Sequence, residues 1–413
     1  MTFAGFFYSN ENNILALIIF VLFGVFVFLK RKKFDVEGKV IFIYRTKLGL
    51  KLMKDFSRFR RFINVYSIIG VFAAVISIGY FLYLSIPYLG LMMANPSSTL
   101  PAADLVLPVS GVPGVIGVPI LYWLIALLIV VVLHEGSHGV VALARKIKLK
   151  SSGFGFFLGI LPLAFVEPDE KVFSRARRID RLKVLSAGSF TNVVMGVIFL
   201  LLYLWLSHYL VASGAISFTP YLLHIVNVSS NGPAQAAGLP ANTTILKIDG
   251  SEVFQPAQLY SYLNVRPGTL VNFTSTSGTV YSIRTAYNSS ITSNANHSYV
   301  GFEGYLSLQS QQPFLISPIA SNAYPNNGLA SQGEYWLDGL VLWIFIIALG
   351  LGIANFLPIF YITDGCKIVY ELVGYFTKNV KRQLRITNAI VILFSVFFLL
   401  LTPLGSILFS IIR

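Results

Sequence analysis

The sequence predicts an α-helical polytopic membrane protein with about six transmembrane helices, a re-entrant strand or hairpin segment, and an inserted extracytoplasmic α+β domain. Three observations support this fold class. Of the 413 residues, 55% are hydrophobic and only 12% are charged, and the mean hydropathy is +0.72. Six apolar runs have roughly the 20-residue length that a helix needs to cross a bilayer. The basic residues are concentrated in alternate connections between these runs.

The six apolar runs set the predicted domain organisation. They are Ile14–Leu29, Ile63–Ile86, Pro119–Ala144, Val184–Leu206, Leu337–Pro358 and Thr387–Ile411. We expect an anchor helix with a basic segment (1–62), a first membrane core (63–206), an inserted domain (207–334) and a second membrane core (335–413). The first run is followed directly by Lys30–Lys33 and lacks a preceding basic segment, so it is predicted to be a retained anchor rather than a signal peptide.

The formal net charge of +14 is explained by membrane topology. Of the 31 Lys and Arg residues, 12 lie in Lys30–Arg61, 10 in Arg145–Lys183 and 5 in Lys367–Arg385. Because basic residues are enriched in cytoplasmic connections, these three segments are predicted to be cytoplasmic. Both termini and the inserted domain are then predicted to lie on the outer side of the cell membrane. The basic charge therefore indicates a lipid bilayer as partner and requires no nucleic acid.

The inserted domain carries alternating strand, turn and helix signals. Strands are predicted at Leu222–Val228, Ile245–Gly250 (ending in an Asp-Gly turn), Thr269–Ser275 and Thr279–Ala286, and helices around Ala236–Leu239 and Ala257–Leu263. This order, with its Gly-Pro-Ala, Ala-Gly-Leu and Ile-Leu-x-Ile-Asp-Gly sequences, resembles a circularly permuted PDZ domain. PDZ domains bind an extended peptide at a sheet edge. A generic small β-rich domain is the alternative.

Five Asn-x-Ser/Thr sequons also fall in the inserted domain. They begin at Asn227, Asn242, Asn272, Asn288 and Asn296. Such triplets also arise by chance in sequence rich in Ser, Thr and Asn. Their confinement to this segment nevertheless favours an exposed outer domain that can accept glycans. The stretch Asn288–Gln332 receives no structural assignment from its sequence.

Two further apolar stretches do not have the pattern of spanning helices. Leu100–Pro119 holds four prolines and three glycines, which predicts irregular or extended backbone. Ser151–Pro168 is short, rich in glycine and flanked by basic residues on both sides, which predicts a re-entrant strand or hairpin. Irregular backbone at membrane depth must line a cavity or pack within protein, so its N–H and C=O groups can hold an extended substrate chain. A surface-lying amphipathic segment is the alternative.

A His-Glu-x-x-His sequence, His134 to His138, closes the third apolar run. Residues four apart share a helix face, so the two imidazoles can bind one metal ion, while Glu135 projects beside them as a proton acceptor. Two histidines and a glutamate are costly in a hydrophobic span unless something compensates them. Cys366 is the one cysteine, which excludes a disulfide within the chain and a cysteine-based zinc site.

A catalytic zinc ion takes three protein ligands, so the pair of histidines needs a third. Asp364 closes the apolar stretch that begins near Ile353, at the same predicted depth as the histidines. Pro358 within this stretch is expected to break the helix and to free backbone carbonyls. The other acidic residues near an apolar segment, Glu167, Asp169 and Glu170, lie beside basic residues and are expected to be solvated.

The combined motifs resemble those of the site-2 proteases, which are intramembrane zinc metalloproteases. The first motif matches His134, Glu135 and His138; a middle Ala-Gly-x-x-x-Asn motif matches Ala187, Gly188 and Asn192; and an Asn-x-x-Pro motif followed by Asp-Gly matches Asn355, Pro358, Asp364 and Gly365. The Gly-Phe-Gly sequence at 153–155 is similar to the subgroup that includes the animal enzyme. Gly136, Ser137 and Thr363 depart from the usual residues at their positions but remove no ligand.

The resemblance implies a role for each of these residues. His134, His138 and Asp364 would bind Zn²⁺, and Glu135 would act as general base. Asn192 and Asn355 would hydrogen-bond the substrate backbone or the oxyanion. The implied substrates are transmembrane segments of single-span proteins, pre-trimmed on the outer side, and the active site would lie toward the cytoplasmic half of the bilayer.

Two other function classes are compatible with a membrane protein of this composition. A non-catalytic relative would bind membrane partners through its PDZ-like domain, but such a protein has no need of Glu135. A metal transporter would carry further His or acidic residues along its spans, and the second, fourth and sixth apolar runs contain none. The sequence therefore favours the protease.

Overall fold

The computed structural model describes most of the chain. The described residues are 3–38, 40–94, 104–109, 112, 115–218, 220–254, 256–263, 265–287, 298–308, 323–325, 329–402, 404–405 and 407–408. They divide into two compact units, a membrane unit (Met1–Leu206 with Leu337–Arg413) and an inserted unit (Ser207–Trp336). The sequons at Asn288 and Asn296, and much of Asn288–Gln332, lie outside the described residues.

The first part of the membrane unit alternates long helices with short strands. In chain order it contains α1 (Phe3–Lys30), a single 3-10 turn (Arg31–Lys33), β1 (Asp35–Glu37), β2 (Ile41–Thr46), α2 (Leu50–Phe56), α3 (Arg60–Ala94), β3 (Leu105–Leu107), β4 (Val115–Gly117), α4 (Ile120–Ala144), β5 (Leu149–Phe157), β6 (Leu161–Pro168), α5 (Glu170–Arg175) and α6 (Arg178–Ala212).

The inserted unit and the last helices complete the chain. They comprise β7 (Ile216–Phe218), β8 (Tyr221–Val228), α7 (Pro233–Ala236), β9 (Thr244–Ile248), β10 (Ser251–Glu252), α8 (Pro256–Leu263), β11 (Leu270–Ser275), β12 (Val280–Arg284), β13 (Phe302–Leu308), β14 (Ala323–Pro325), α9 (Leu329–Phe356), α10 (Asp364–Val373) and α11 (Val380–Leu400).

Among the described residues, six helices are long and apolar enough to cross a membrane: α1, α3, α4, α6, α9 and α11. Large apolar side chains such as Leu17, Phe72 and Leu201 are more than half exposed along them. Contiguous apolar surface of this kind requires an apolar surrounding medium. The chain is therefore a polytopic membrane protein, with the number of spans predicted from its sequence.

Most helix boundaries differ from the predicted runs, and two of the differences involve a proline. The last helix begins at Val380 and ends at Leu400, whereas the apolar run extends to Ile411. The sequence places a proline at 403, and the residue before a proline is disfavoured in helical conformation, so hydrophobicity overestimates the helix there. The second spanning helix continues through Pro87 to Ala94, beyond its predicted end at Ile86.

The glycine-rich stretch that follows α4 forms the antiparallel hairpin β5–β6. A three-residue loop joins the strands, and its first two residues, Leu158 and Gly159, both have positive φ, 54° and 77°. The hairpin is half of a four-stranded sheet in the order β1-β2-β5-β6, so β6 is an edge strand. Backbone passes so close to Gly153 that a Cβ there would collide with the carbonyl of Tyr44. The re-entrant placement of the hairpin stays a prediction.

The inserted unit is a small α+β fold around one sheet, ordered β12-β11-β9-β8-β13, with β10 paired to β9. Leu223, Ile225 and Phe273 are buried in its core. Asp249 and Gly250, both at positive φ, form the turn that the Asp-Gly signal predicts. The predicted strands and the second helix coincide with β8, β9, β11, β12 and α8, while the first helix begins earlier, at Pro233. The PDZ assignment itself stays a prediction.

The sequons within the described part of this unit differ in accessibility. Asn227 and Asn242 are exposed, and Asn272 is partly buried. Glycosylation at these positions stays a prediction.

Candidate metal centre

Three ligand atoms from two distant segments meet at one point of the membrane unit. His134 and His138 lie one turn apart on α4, and their Nε2 atoms are 3.1 Å from each other. Asp364 Oδ2 lies 3.2 Å from each Nε2. Within the described residues, this is the group of His and acidic side chains arranged to hold a metal ion.

The break after α9 positions Asp364. The helix ends at Phe356, and the chain turns through a non-helical segment before α10 starts at Asp364 itself. Thr363 Oγ1 donates to the freed carbonyl of Leu357 at 2.6 Å, so this carbonyl is satisfied without helical pairing. Gly365 passes so close to the backbone of Leu357 that any side chain would collide there. The predicted break at Pro358 therefore turns the chain and sets the direction in which Asp364 enters the site.

Helix α6 packs against both histidines through Gly188. A Cβ built on Gly188 would lie 2.6 Å from His134 Nε2 and closer still to His138 Nε2. Glycine thus leaves space at the point where the two ring nitrogens converge. One turn further, Asn192 is 1% exposed, and its Nδ2 lies 3.0 Å from His134 Nδ1.

The hydrogen bonds of the two rings decide which nitrogen is free to bind a metal. His138 Nδ1 donates to the carbonyl oxygen of Val184 at 2.7 Å, which leaves the Nε2 lone pair free. When Nδ2 faces His134, Asn192 Oδ1 is buried and has no hydrogen-bond partner among the residues that the structure describes. Turning the amide by 180° lets Oδ1 accept the Nδ1–H of His134, which satisfies the oxygen and frees the second Nε2. Both histidines then present the lone pair that metal binding requires.

The donor set fits zinc. Two donors that each lie about 2.0–2.1 Å from a tetrahedral zinc ion are about 3.3 Å apart, close to the separations of 3.1 and 3.2 Å found here. The cluster therefore offers two neutral nitrogens and one carboxylate, with room for a further ligand on the side of the nearby cavity.

Glu135 lies beside this cluster, at the boundary between two cavities. Its Oε2 accepts a hydrogen bond of 3.1 Å from the backbone N–H of Val166 on β6. Oε1 makes no hydrogen bond in the described part of the chain. One cavity, of about 530 Å³, is enclosed mainly by apolar side chains of α1, α4 and the hairpin. The other, of about 270 Å³ and called the polar cavity below, is lined by equal numbers of polar and apolar residues, and its polar groups include His138, Asp364 and Lys367. Glu135 and Val166 line both.

A buried ion pair attaches α10 to α6. Glu371, about two turns after Asp364, is 6% exposed and receives two hydrogen bonds from Arg181, at 2.6 and 2.7 Å. Arg178 Nη1 lies 3.4 Å from the same carboxylate. Because α6 also carries Gly188 and Asn192, this pair ties the helix of the third ligand to the helix that supports the histidines. Sequence reasoning missed Glu371, although an acidic residue two turns from Asp364 on one helix face was a signal for it.

The remaining predicted residues have different surroundings. Asn355 is half-buried in the last turn of α9, and its side chain makes no hydrogen bond within the described residues. Asn192 contacts a histidine, and the substrate contacts predicted for both asparagines stay predictions. Ser137 Oγ donates to the carbonyl of His134 at 2.7 Å.

The three alternative acidic residues do not join the ligand cluster. Glu167 accepts hydrogen bonds from Ser151 at 2.7 Å and from Arg45 at 3.3 Å, and these two contacts lower its pKa in that order. Asp169 caps α5 by accepting from two backbone amides, and Glu170 lines the polar cavity. Glu167 is thus paired rather than simply solvated.

Comparison with known proteins identifies the family. The family model of peptidase family M50 matches residues 122–402, which include every ligand of the cluster. The chain belongs to peptidase family M50. This is the site-2 protease family predicted from the motifs, and its members are zinc metalloproteases of membranes. An uncharacterized protein of Methanocaldococcus jannaschii is 31% identical over 191 residues, 45% of this chain and 50% of that protein. The chain thus spans about half the length of the curated relative it matches.

Gly188→Ala is expected to abolish stable zinc binding. The added methyl group would occupy the space between the two Nε2 atoms, and the rings cannot move apart without losing their hydrogen bonds to Val184 and Asn192. Zinc content after gel filtration, measured by atomic emission, tests this. Gly350→Ala on α9, where a Cβ meets nothing within 4 Å, is the control. Equal zinc content in both variants would contradict the assigned geometry.

Glu371→Gln is expected to destabilise the protein by about 3 kcal/mol, because it leaves the guanidinium of Arg181 buried beside a neutral partner. Zinc should also dissociate faster into a chelator, since α10 is held less firmly. Thermal unfolding in detergent and chelator-driven zinc release measure the two effects. Asp55→Asn removes an exposed ion pair with Arg58 and should change unfolding by less than about 1 kcal/mol. An unchanged rate of zinc release from Glu371→Gln would show that the ion pair with Arg181 does not keep Asp364 in place.

Proposed function

We propose that this chain is an intramembrane zinc endopeptidase that cleaves transmembrane segments of single-span membrane proteins, with Glu135 as the general base. The observation that carries this proposal is the meeting of His134, His138 and Asp364 within 3.2 Å, next to a glutamate that lines both a polar and an apolar cavity.

Each residue of the site has a separate role in the proposed hydrolysis. His134, His138 and Asp364 would hold the zinc ion, which when bound polarises the scissile carbonyl and acidifies water. Glu135 Oε1 is free to take a proton from the attacking water and to deliver it to the leaving amine. The amide of Val166 holds Oε2 and so fixes the direction of the free oxygen. Asn192 keeps the ring of His134 oriented.

The edge strand β6 is suited to hold an extended substrate. Val166 directs its N–H away from β5 toward Glu135. Because pairing alternates along antiparallel strands, the N–H of Ala164, two residues earlier, points to the same edge. A substrate must unwind to expose its peptide bond, and an added strand satisfies the backbone groups that unwinding releases. Such pairing would bring the scissile bond beside Glu135.

The two cavities have complementary parts in this proposal. The apolar cavity suits hydrophobic side chains of a transmembrane substrate, and the polar cavity suits the water that hydrolysis consumes. Glu135 lines both cavities, so its carboxylate would be in reach of both the substrate and the water. The enclosed apolar lining also keeps bulk water from the rest of the substrate helix.

The inserted unit and the topology extend the proposal. The distribution of basic residues favours an extracytoplasmic inserted unit, and its PDZ-like strand order favours a docking site or size filter for substrates that were shortened on the outer side. The active site would then open toward the cytoplasmic half of a cell membrane. A non-catalytic protein that binds partners through this unit is the second candidate, favoured only by the PDZ-like order itself.

Glu135→Gln is expected to abolish cleavage while zinc stays bound. The amide cannot accept the proton of the attacking water, and a loss of at least about 100-fold in kcat is typical of a general base. Purified protein and a labelled single-span substrate in detergent micelles provide the assay, with zinc stoichiometry measured on the same samples. Cleavage at the wild-type rate by the zinc-loaded variant would remove Glu135 from the mechanism. Zinc-loaded wild type that cleaves no membrane substrate would favour the non-catalytic candidate.

Ala164→Pro is expected to lower kcat/KM about 5- to 10-fold, the equivalent of one lost backbone hydrogen bond. The outward amide disappears, while the pairing of β6 with β5 is kept, because proline is tolerated at the outer edge of an edge strand. The same cleavage assay measures the effect. Ala164→Ser keeps the amide and serves as the control. Equal kcat/KM for both variants at unchanged zinc content would argue against strand addition at β6.

A further inference from the structure

A third cavity, lined largely by basic residues, lies at the C-terminal end of α4. It has a volume of about 330 Å³ and is bounded by the connection after α4 and by α5. Its lining consists of four basic residues and three apolar ones: Arg145, Lys146, Lys171, Arg175, Ile147, Val172 and Ala176. No carboxylate lines it. None of these residues takes part in the metal centre.

The positive charges around this cavity are poorly neutralised. Within the described residues, Lys146, Lys171 and Arg175 form no ion pair. Arg145 Nη1 lies 3.8 Å from Asp180 Oδ1, while Arg177 hydrogen-bonds the other carboxylate oxygen, Oδ2, at 2.8 Å. Arg145 Nε is buried and makes no hydrogen bond in the described part of the chain. Within the described residues, the four cations that line the cavity therefore have a single carboxylate within 4 Å of any of them, that of Asp180 beside Arg145.

Favourable placement at helix ends explains three of the four cations but not their convergence. Arg145, Lys146 and Arg175 lie at or just after the C-terminal ends of α4 and α5, where basic residues interact well with the helix dipole, whereas Lys171 lies in the first turn of α5. Lys146, however, has φ 64°, a left-handed conformation that glycine adopts at lower cost at this position after a helix. Lys171 and Arg175 are four residues apart and so share one face of α5. Four like charges around one concavity repel each other unless an anion lies between them.

We propose that this cavity binds a phosphate group, carried either by an anionic lipid headgroup or by a free phosphate compound. Arginine and lysine are the side chains that bind phosphate oxygens, Arg by paired hydrogen bonds and Lys as a point charge. The cavity follows directly on the end of a membrane-spanning helix, the level at which lipid phosphates lie. An occupant would tie the end of α4, two turns beyond His138, to the membrane surface.

Binding to purified full-length protein tests the proposal without any cleavage assay. Native mass spectrometry in detergent compares phosphatidylglycerol, phosphatidylcholine and inorganic phosphate as probes. The site variant is Lys171→Gln/Arg175→Gln, with Lys146→Gln as an independent second variant. The matched control is Lys381→Gln/Arg385→Gln, which removes the same two charges at the same spacing from the exposed face of α11.

Wild type should bind phosphatidylglycerol in preference to phosphatidylcholine, and the double site variant should weaken this binding about 30-fold, as expected for two lost cations near a lipid phosphate. Lys146→Gln should weaken it to a smaller extent, and the control should behave as wild type. Competition by inorganic phosphate would assign the site to free phosphate compounds, and its absence would assign it to lipid. Equal binding of both lipids, equal loss in the control, or wild-type binding by both site variants would overturn the proposal. Zinc content and thermal unfolding establish that each variant is folded.

Discussion

The structure of the membrane unit depends on the mutual compensation of three ionisable side chains within an apolar helical bundle. Two imidazoles and a carboxylate are each costly at membrane depth, and they are tolerated when they face one another and a metal ion. His134, His138 and Asp364 satisfy this condition because Nε2 and Oδ2 atoms meet within 3.2 Å. Helix α4 and the start of α10 must therefore approach each other, and the packing of the surrounding helices follows from that approach.

Helix α6 supplies the support for this arrangement from a single face. Gly188 and Asn192 lie about two and three turns after Arg181, so all three residues share one face of the helix. Arg181 binds Glu371 of α10, and Gly188 leaves room for the two imidazole rings. Asn192 orients the ring of His134. Gly188 and Asn192 of the middle motif thus both contact the histidine ligands, and the substrate contact predicted for Asn192 stays a prediction.

Non-helical backbone lies beside the metal centre in two places, after α9 and at β6. After α9, the break at Pro358 directs Asp364 inward, and the hydroxyl of Thr363 satisfies a freed carbonyl. The edge strand β6 directs the amide of Val166 toward Glu135 of α4. Both segments therefore contribute backbone groups to the surroundings of the metal centre.

The number of spans, the hairpin and the ligand triad could be predicted from the sequence, because hydrophobic length, glycine turns and ionisable residues in apolar surroundings are local signals. His134 and His138 share a face by helix geometry alone, and Asp364 stood out as a carboxylate at matching depth. The pairing of β1 and β2 with the hairpin, the contact of Gly188 with both rings, the bond from Asn192 to His134 and the ion pair of Glu371 with Arg181 were decided only by the tertiary structure. Each joins segments far apart in the chain, and no local pattern specifies which distant partner a residue will meet.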